Sequence, residues 1–175
     1  GQRLGSLTRR TPKPMLKIAG KPILEHIIET LSLQGFNNIY ISVFYKKEII
    51  KKYFSNKRFY NSKIKFIEEK KPLGTAGALS LLKGTNKNPL LVINGDLLFD
   101  FDLVSLIKFH IKCKADSTIL VKTHAIQNPF GVVKSKNNLV LEFNEKPTYH
   151  SHINTGIYAL NTSMLKLIEK NKKIS

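Results

Sequence analysis

Short strand-like apolar runs alternate with runs of helical spacing through the first two-thirds of this chain, and that alternation restricts its fold more than any other feature. Pro22 suits the first turn of a helix, and Ile23, Leu24, Ile27, Ile28 and Leu31 then recur at helical spacing before Gly35, a natural C-terminal cap. Residues 38–44 form a β-rich run, 47–54 return to helical spacing, and 64–68 are strand-like again. Gly74 opens a loop leading into a small-residue helix over 76–82, with Thr75 as its candidate cap. The continuous apolar run 89–93 suits a strand buried on both faces and ends at Asn94-Gly95-Asp96. Residues 103–114 are amphipathic, with Leu103, Leu106, Ile107 and Ile111 on one stripe. The pattern predicts a parallel sheet with helices on both sides.

The rhythm then changes. Segments 117–121, 131–134, 139–145 and 153–160 are strand candidates with little helix between them, and Thr162 or Ser163 caps a last helix over 164–170. A single domain is expected, divided into an α/β part over 1–116 and a β-rich extension over 117–175. At 175 residues with 42% hydrophobic content, the chain is long enough to bury a real core.

Charge and cysteine usage narrow the function classes. The formal net charge of +17 suggests polyanionic partners. The excess is scattered lysine in a chain also rich in Ile and Asn, as A/T-rich coding would produce. No block of like charge and no zinc-finger or helix-turn-helix pattern points to a specific nucleic-acid binder. No apolar run approaches the roughly 20 residues a membrane-spanning helix needs. The cytoplasm is the default expectation for its compartment. Cys113 has no partner for an internal disulfide, and the five histidines show no metal spacing.

Near the start, Thr8 to Leu16 reads T-R-R-T-P-K-P-M-L after G-Q-R-L. Each proline fixes its own φ and pushes the residue before it out of the helical region. Lys13, between Pro12 and Pro14, therefore sits either in a stretch suited to aiming a cation at a fixed point or in a solvated N-terminal tail.

With its flanks this opening resembles the signature of the sugar-phosphate nucleotidyltransferases, G-x-G-T-R-L-x-x-L-T-x-x-x-P-K-P-M-L-x-x-x-G-K-P. The similarity continues in the family's order. P-L-G-T-A-G-A-L from Pro72 resembles the nucleobase loop, and V-I-N-G-D from Val92 resembles the metal-bearing strand end. F-G-V-V from Phe130, E-K-P from Glu145 and I-N-T-G-I-Y from Ile153 resemble the sugar-phosphate segments. There are departures. Gln2 stands where Thr or Ser is usual, and Gly5-Ser6 where Arg-Pro is common. The family's first apolar strand, most of its glycine loop and its later region with a second metal-binding aspartate are not represented. The chain therefore reads as a fragment of the family's domain, with a gap or exposed sheet edge that favours marginal stability or a homo-oligomer.

The resemblance implies an α/β fold with a doubly wound, mostly parallel Rossmann-like sheet and a β-rich sugar-binding extension. It implies transfer of a nucleoside monophosphate from a nucleoside triphosphate to a sugar 1-phosphate, with Mg2+ as cofactor, for surface glycan precursors. The Thr-Ala-Gly form of the loop resembles guanylyltransferases more than thymidylyl- or uridylyltransferases. Arg3 and Lys13 are the expected catalytic cations, Arg as a bidentate fork and Lys as a movable point charge. Gly1, Gly74, Thr75 and Gly95 are the expected nucleotide-binding residues, lacking bulk where a base or triphosphate approaches. Asp96 either holds the metal against triphosphate oxygens or caps its own turn, since Asn-Gly-Asp is also turn chemistry. Glu145 is expected on sugar hydroxyls and Lys146 on the sugar's phosphate, or both are simply an exposed strand end. Gly131 and Gly156 leave room for the sugar ring, and Asn154 is a hydrogen-bonding candidate beside it. Two other classes remain open: a non-catalytic sugar-nucleotide-binding module of the same fold, and a basic nucleic-acid binder.

Overall fold

The computed structural model describes residues 11–59, 62–82 and 88–174. A tight 3-10 turn at Lys13–Met15 leads into two short antiparallel strands, β1 (Lys17–Ile18) and β2 (Lys21–Pro22), and then helix α1 (Ile23–Leu33). Pro22 is the N-cap of α1, and Gly35 follows the helix at φ +85°, the left-handed conformation glycine tolerates best. β3 (Asn38–Val43), α2 (Lys47–Ser55) and β4 (Lys63–Glu68) form a β-α-β unit whose strands pair in parallel from Asn38 opposite Lys63 to Val43 opposite Glu68. Ile39, Ile41 and Val43 alternate inward along β3, and with Leu24, Ile28, Ile50, Phe54 and Phe59 they build the core. Met15 joins the same cluster, so the end of the Pro-Lys-Pro segment is anchored in the core. Burying large apolar side chains such as Phe54 contributes about 1.5–3 kcal/mol each.

A buried carboxylate ties α1 to α2. Glu25 of α1 accepts hydrogen bonds from the Tyr53 hydroxyl at 2.6 Å and from the Lys57 ammonium. Burial pushes its carboxyl up, but the Lys57 and Tyr53 hydrogen bonds outweigh that and hold it below the ordinary value.

The 73–82 segment forms the four-residue helix α3 (Gly74–Gly77) and a 3-10 turn, Ala78–Leu81. Its cap is Leu73, and no Thr75 side-chain bond forms there, which corrects the expected cap. β5 (Leu90–Ile93) pairs antiparallel with the end of β9 (Thr148–Leu160), from Leu90 opposite Leu160 to Ile93 opposite Ile157. Helix α4 (Leu103–Lys112) starts on a side-chain cap: Asp102 accepts from the Val104 and Ser105 amides at 2.9 and 3.1 Å. Gln34 adds a second tie, donating to the Phe101 carbonyl and accepting from the Leu103 amide. Buried His110 of α4 is bonded at both ring nitrogens, to the Thr118 hydroxyl at 2.8 Å and to the Asn161 side-chain oxygen at 3.1 Å.

β6 (Ser117–Gln127) and β9 are adjacent strands and run longer than the apolar spacing indicated. β7 (Val132–Lys136) and β8 (Leu139–Asn144) form an antiparallel hairpin with an irregularity at Lys134 and Ser135. The expected helix over 164–170 is instead a 3-10 segment, Thr162–Leu167, without a side-chain cap. Its apolar residues lie outside the buried core, so nothing enforces an α-helical stripe there.

The chain separates into two compact units, Gly1–Thr118 with Gly156–Ser175, and Ile119–Thr155. The last segment groups with the first unit because the end of β9 pairs with β5. Among the described residues, no helix is long and apolar enough to cross a membrane.

Candidate functional site

In the first unit, the loop after β5 meets the Pro-Lys-Pro turn. Pro12 and Met15 are buried on either side of Lys13, and the turn closes through the Met15 amide on the Pro12 carbonyl at 2.8 Å. That leaves Lys13 little freedom. Its ammonium is ion-paired with Asp96 Oδ2. Gly95 lies against the same turn: a Cβ there would sit 3.6 Å from the Pro14 ring. The fold therefore brings one of the two expected cations onto the expected metal carboxylate. Asp96 makes this ion pair from the turn after β5, at the strand end where ligands of α/β sheets bind. Arg3 and Gly1 lie outside the described residues.

The expected nucleobase loop is held from two directions. Glu69, just after β4, accepts from the Leu73 amide at 2.8 Å and from the Ser42 hydroxyl of β3 at 2.6 Å. On the other side, the Ile174 amide donates to the Leu73 carbonyl at 2.9 Å, and the Ala76 amide donates to the Ile174 carbonyl at 3.2 Å. Gly74, at φ +78°, has no room for a Cβ because the Ile174 carbonyl occupies that space. A Cβ on Gly77 would lie 2.5 Å from the Lys172 carbonyl. The glycines are thus required by a neighbouring stretch of backbone, a cause that the motif alone did not reveal. Gly74 and Thr75 are themselves exposed. Sequence reasoning missed Glu69; its signal was a carboxylate four residues ahead of Leu73, the spacing of a turn closed by a side chain. A cleft of about 450 Å³ opens beside it, lined by Phe44, Lys47, Glu68, Glu69 and Lys70 at the carboxyl ends of β3 and β4.

Gly156 also lies in the first unit. It is buried at φ +81°, and its missing Cβ makes room for the Asn94 side chain, while the Asn94 amide donates to the Gly156 carbonyl at 3.0 Å. This glycine fixes the residue two positions before Asp96.

In the second unit, Gly131 faces Phe143 and Glu145. A Cβ on it would lie 2.6 Å from the Phe143 ring and 2.9 Å from Glu145 Oε2, so the Glu145 carboxylate rests directly on the Gly131 backbone. Lys146 takes a left-handed φ of +47°, uncommon for a residue with a Cβ. The Asn128 amide donates to the Pro147 carbonyl at 2.9 Å, tying this corner to the loop before Gly131. Asn154 is exposed on β9. His26 has a structural partner instead: its Nε2 lies 2.8 Å from the Ile18 carbonyl.

The chain has clear relatives among known proteins. The family model described as "Nucleotidyl transferase" matches residues 1–175. The chain is 36% identical over 178 residues to the D-glycero-alpha-D-manno-heptose 1-phosphate guanylyltransferase of Aneurinibacillus thermoaerophilus, covering 100% of this chain and 76% of the relative. It is 41% identical over 177 residues to the bifunctional protein GlmU of Methanocaldococcus jannaschii, covering 98% of this chain but only 40% of that protein. The chain thus spans only part of these curated relatives. Among solved structures, HddC from Yersinia pseudotuberculosis complexed with GMP-PN superimposes with a TM-score of 0.68 at 28% identity, over 92% of this chain and 72% of that one. The fold is α/β and Rossmann-like, as in such neighbours. With a family model spanning its whole length and relatives of this similarity, the chain belongs to the nucleotidyl transferase family.

Proposed function

We propose that the protein transfers a nucleoside monophosphate, by preference guanylyl, from a nucleoside triphosphate to a sugar 1-phosphate. The observation that carries this reading is the convergence of Lys13 and Asp96 at the end of β5. The names of the guanylyltransferase relative and the GMP-PN-bound neighbour support the base. The region over 1–175 acts as one nucleotidyltransferase domain, and a nucleoside triphosphate substrate suits a cytoplasmic protein.

In the reaction, an oxygen of the sugar's phosphate attacks the α-phosphorus in line. The bond from that phosphorus to the bridging oxygen breaks, and pyrophosphate leaves with the electron pair. No covalent enzyme intermediate forms, so the protein contributes position and charge. Lys13 places a cation where negative charge builds on the phosphates, and Arg3 adds a bidentate grip. Gly74 and Thr75 receive the base, Gly95 admits the triphosphate, and Glu145 and Lys146 receive the sugar hydroxyls and phosphate. Asn154 and Gly131 shape the sugar side, whereas Gly156 is taken up by the Asn94 side chain.

A divalent cation of the kind this family uses suits Asp96. Mg2+ is commonly held by one or two carboxylates plus substrate phosphates rather than by an all-protein cage. Asp96 offers such a carboxylate, and among the described residues no group of three or more His, Cys, Asp or Glu side chains forms a closed cage. When bound, Mg2+ would supply charge neutralisation at the triphosphate.

The test is pyrophosphate release by the intact protein with GTP, Mg2+ and a panel of aldose 1-phosphates. Release that requires both substrates is expected. Release without a sugar phosphate, or saturable GTP binding with no turnover on any member of the panel, would contradict it.

A further inference from the structure

The Lys172–Ile174 segment makes no part of the reaction just described, yet it is built into the nucleotide loop. Two backbone hydrogen bonds join them: Ile174 N–H to the Leu73 carbonyl at 2.9 Å, and Ala76 N–H to the Ile174 carbonyl at 3.2 Å. Both glycines of the loop are spaced for it, Gly74 against the Ile174 carbonyl and Gly77 against the Lys172 carbonyl. Gly77 is the informative one. Its φ of −63° is ordinary helical backbone that alanine adopts without strain. Only the approach of the segment, at 2.5 Å from a would-be Cβ, and of the Leu73 side chain, at 2.9 Å, forbids a methyl group there.

We infer that Lys172–Ile174 is a positioning strap for the nucleotide loop, setting its backbone geometry and therefore the affinity for the triphosphate. This rests on the nucleotidyl-transfer reading and adds residues to its machinery. The strap takes the Ala76 N–H as a donor, so that amide is committed to holding the loop while Gly74 and Thr75 stay exposed for a ligand. Ile174 acts through its main chain. Its side chain can change without consequence, whereas its amide cannot be lost.

Three variants of the intact protein test this. Ile174→Pro removes the strap's donor without touching the loop. Gly77→Ala displaces the strap from the loop's side. Ile174→Val keeps both backbone bonds. The first two should raise the KM for GTP about tenfold, with kcat and the KM for the sugar 1-phosphate within about twofold of wild type; Ile174→Val should behave as wild type. Hydrogen exchange at the Ala76 amide provides a readout independent of turnover: it should be protected in wild type and exchange faster in Ile174→Pro. Wild-type GTP affinity in folded Ile174→Pro and Gly77→Ala, or an unprotected Ala76 amide in wild type, overturns the strap. A wild type that binds no nucleoside triphosphate at all is a different result. It overturns the transfer reading, and reduces the strap to support of the fold.

Discussion

The Lys13 ammonium and the Asp96 carboxylate form an ion pair between the Pro-Lys-Pro turn and the loop after β5. Their side chains are 40% and 30% exposed, so the pair is a poor device for holding the fold together. Exposed ion pairs contribute about 0–1 kcal/mol. On the proposed reading the pair is electrostatic: a cation and a carboxylate stand side by side, to exchange each other for phosphate oxygens and a metal.

Lys13→Ala should therefore separate stability from turnover. Its unfolding free energy is expected within about 1 kcal/mol of wild type. Its kcat/KM should fall about 100-fold or more, the loss typical of one electrostatic contact to a developing charge. Chemical denaturation and pyrophosphate release measure the two separately. A variant that keeps its turnover removes Lys13 from the mechanism.

Glu69 reaches both Ser42 and the Leu73 amide, so it supports the loop from the strand side. Glu69→Ala takes the side-chain acceptor from the part-buried Leu73 amide, while the exposed Ser42 hydroxyl turns to water, and should cost about 0.5–1.5 kcal/mol. It should also raise the KM for GTP while leaving the KM for the sugar 1-phosphate unchanged. Equal changes in both constants would show general loosening instead.

Lys146 occupies a backbone conformation that costs a side-chain-bearing residue about 1–2 kcal/mol. Lys146→Gly relieves that strain and should melt at or above the wild-type temperature. If its ammonium receives the sugar's phosphate, the same variant loses affinity for the sugar 1-phosphate. Higher stability with intact sugar-phosphate affinity would leave Lys146 as a turn residue only.

Of the charged groups, Glu68 carries the clearest pH signature. Hydrogen bonds from Lys47 and Lys51, reinforced by their charges, lower its carboxyl from 4.5 to about 2. A depressed carboxylate contributes stability above its unfolded pKa and loses it as pH falls through the folded one. The melting-temperature difference between wild type and Glu68→Gln should thus be constant above pH 4.5 and close as pH falls towards 2. Because the group is exposed, molar salt should shrink the difference at neutral pH. A difference that grows on acidification contradicts the assignment.

Much of this architecture was legible because local chemistry and tertiary structure agree. The helical spacing of Ile23, Leu24, Ile27 and Ile28 turns those side chains into the buried interior, and Asp96 falls where an apolar strand must end. What the sequence concealed were relationships between distant backbones. Nothing local announces that Gly77 is spaced for the Lys172 carbonyl, or that Gly156 makes room for Asn94. The same limit explains the final helix: none of residues 162–167 reaches the buried interior, so no buried stripe enforces an α-helix and they settle into a 3-10 turn. Glu69 was hidden because its partners are a backbone amide and a serine on another strand.

The most direct test is calorimetric titration of the α,β-imido analogue of GTP, whose P–N link replaces the bond the transfer breaks, into the intact protein, with and without Mg2+, in wild type and Asp96→Asn. The account predicts that Mg2+ strengthens binding about tenfold or more in wild type and has little effect in Asp96→Asn, with both proteins folded. Equal Mg2+ enhancement in the two would contradict it, because the metal would then be held without Asp96.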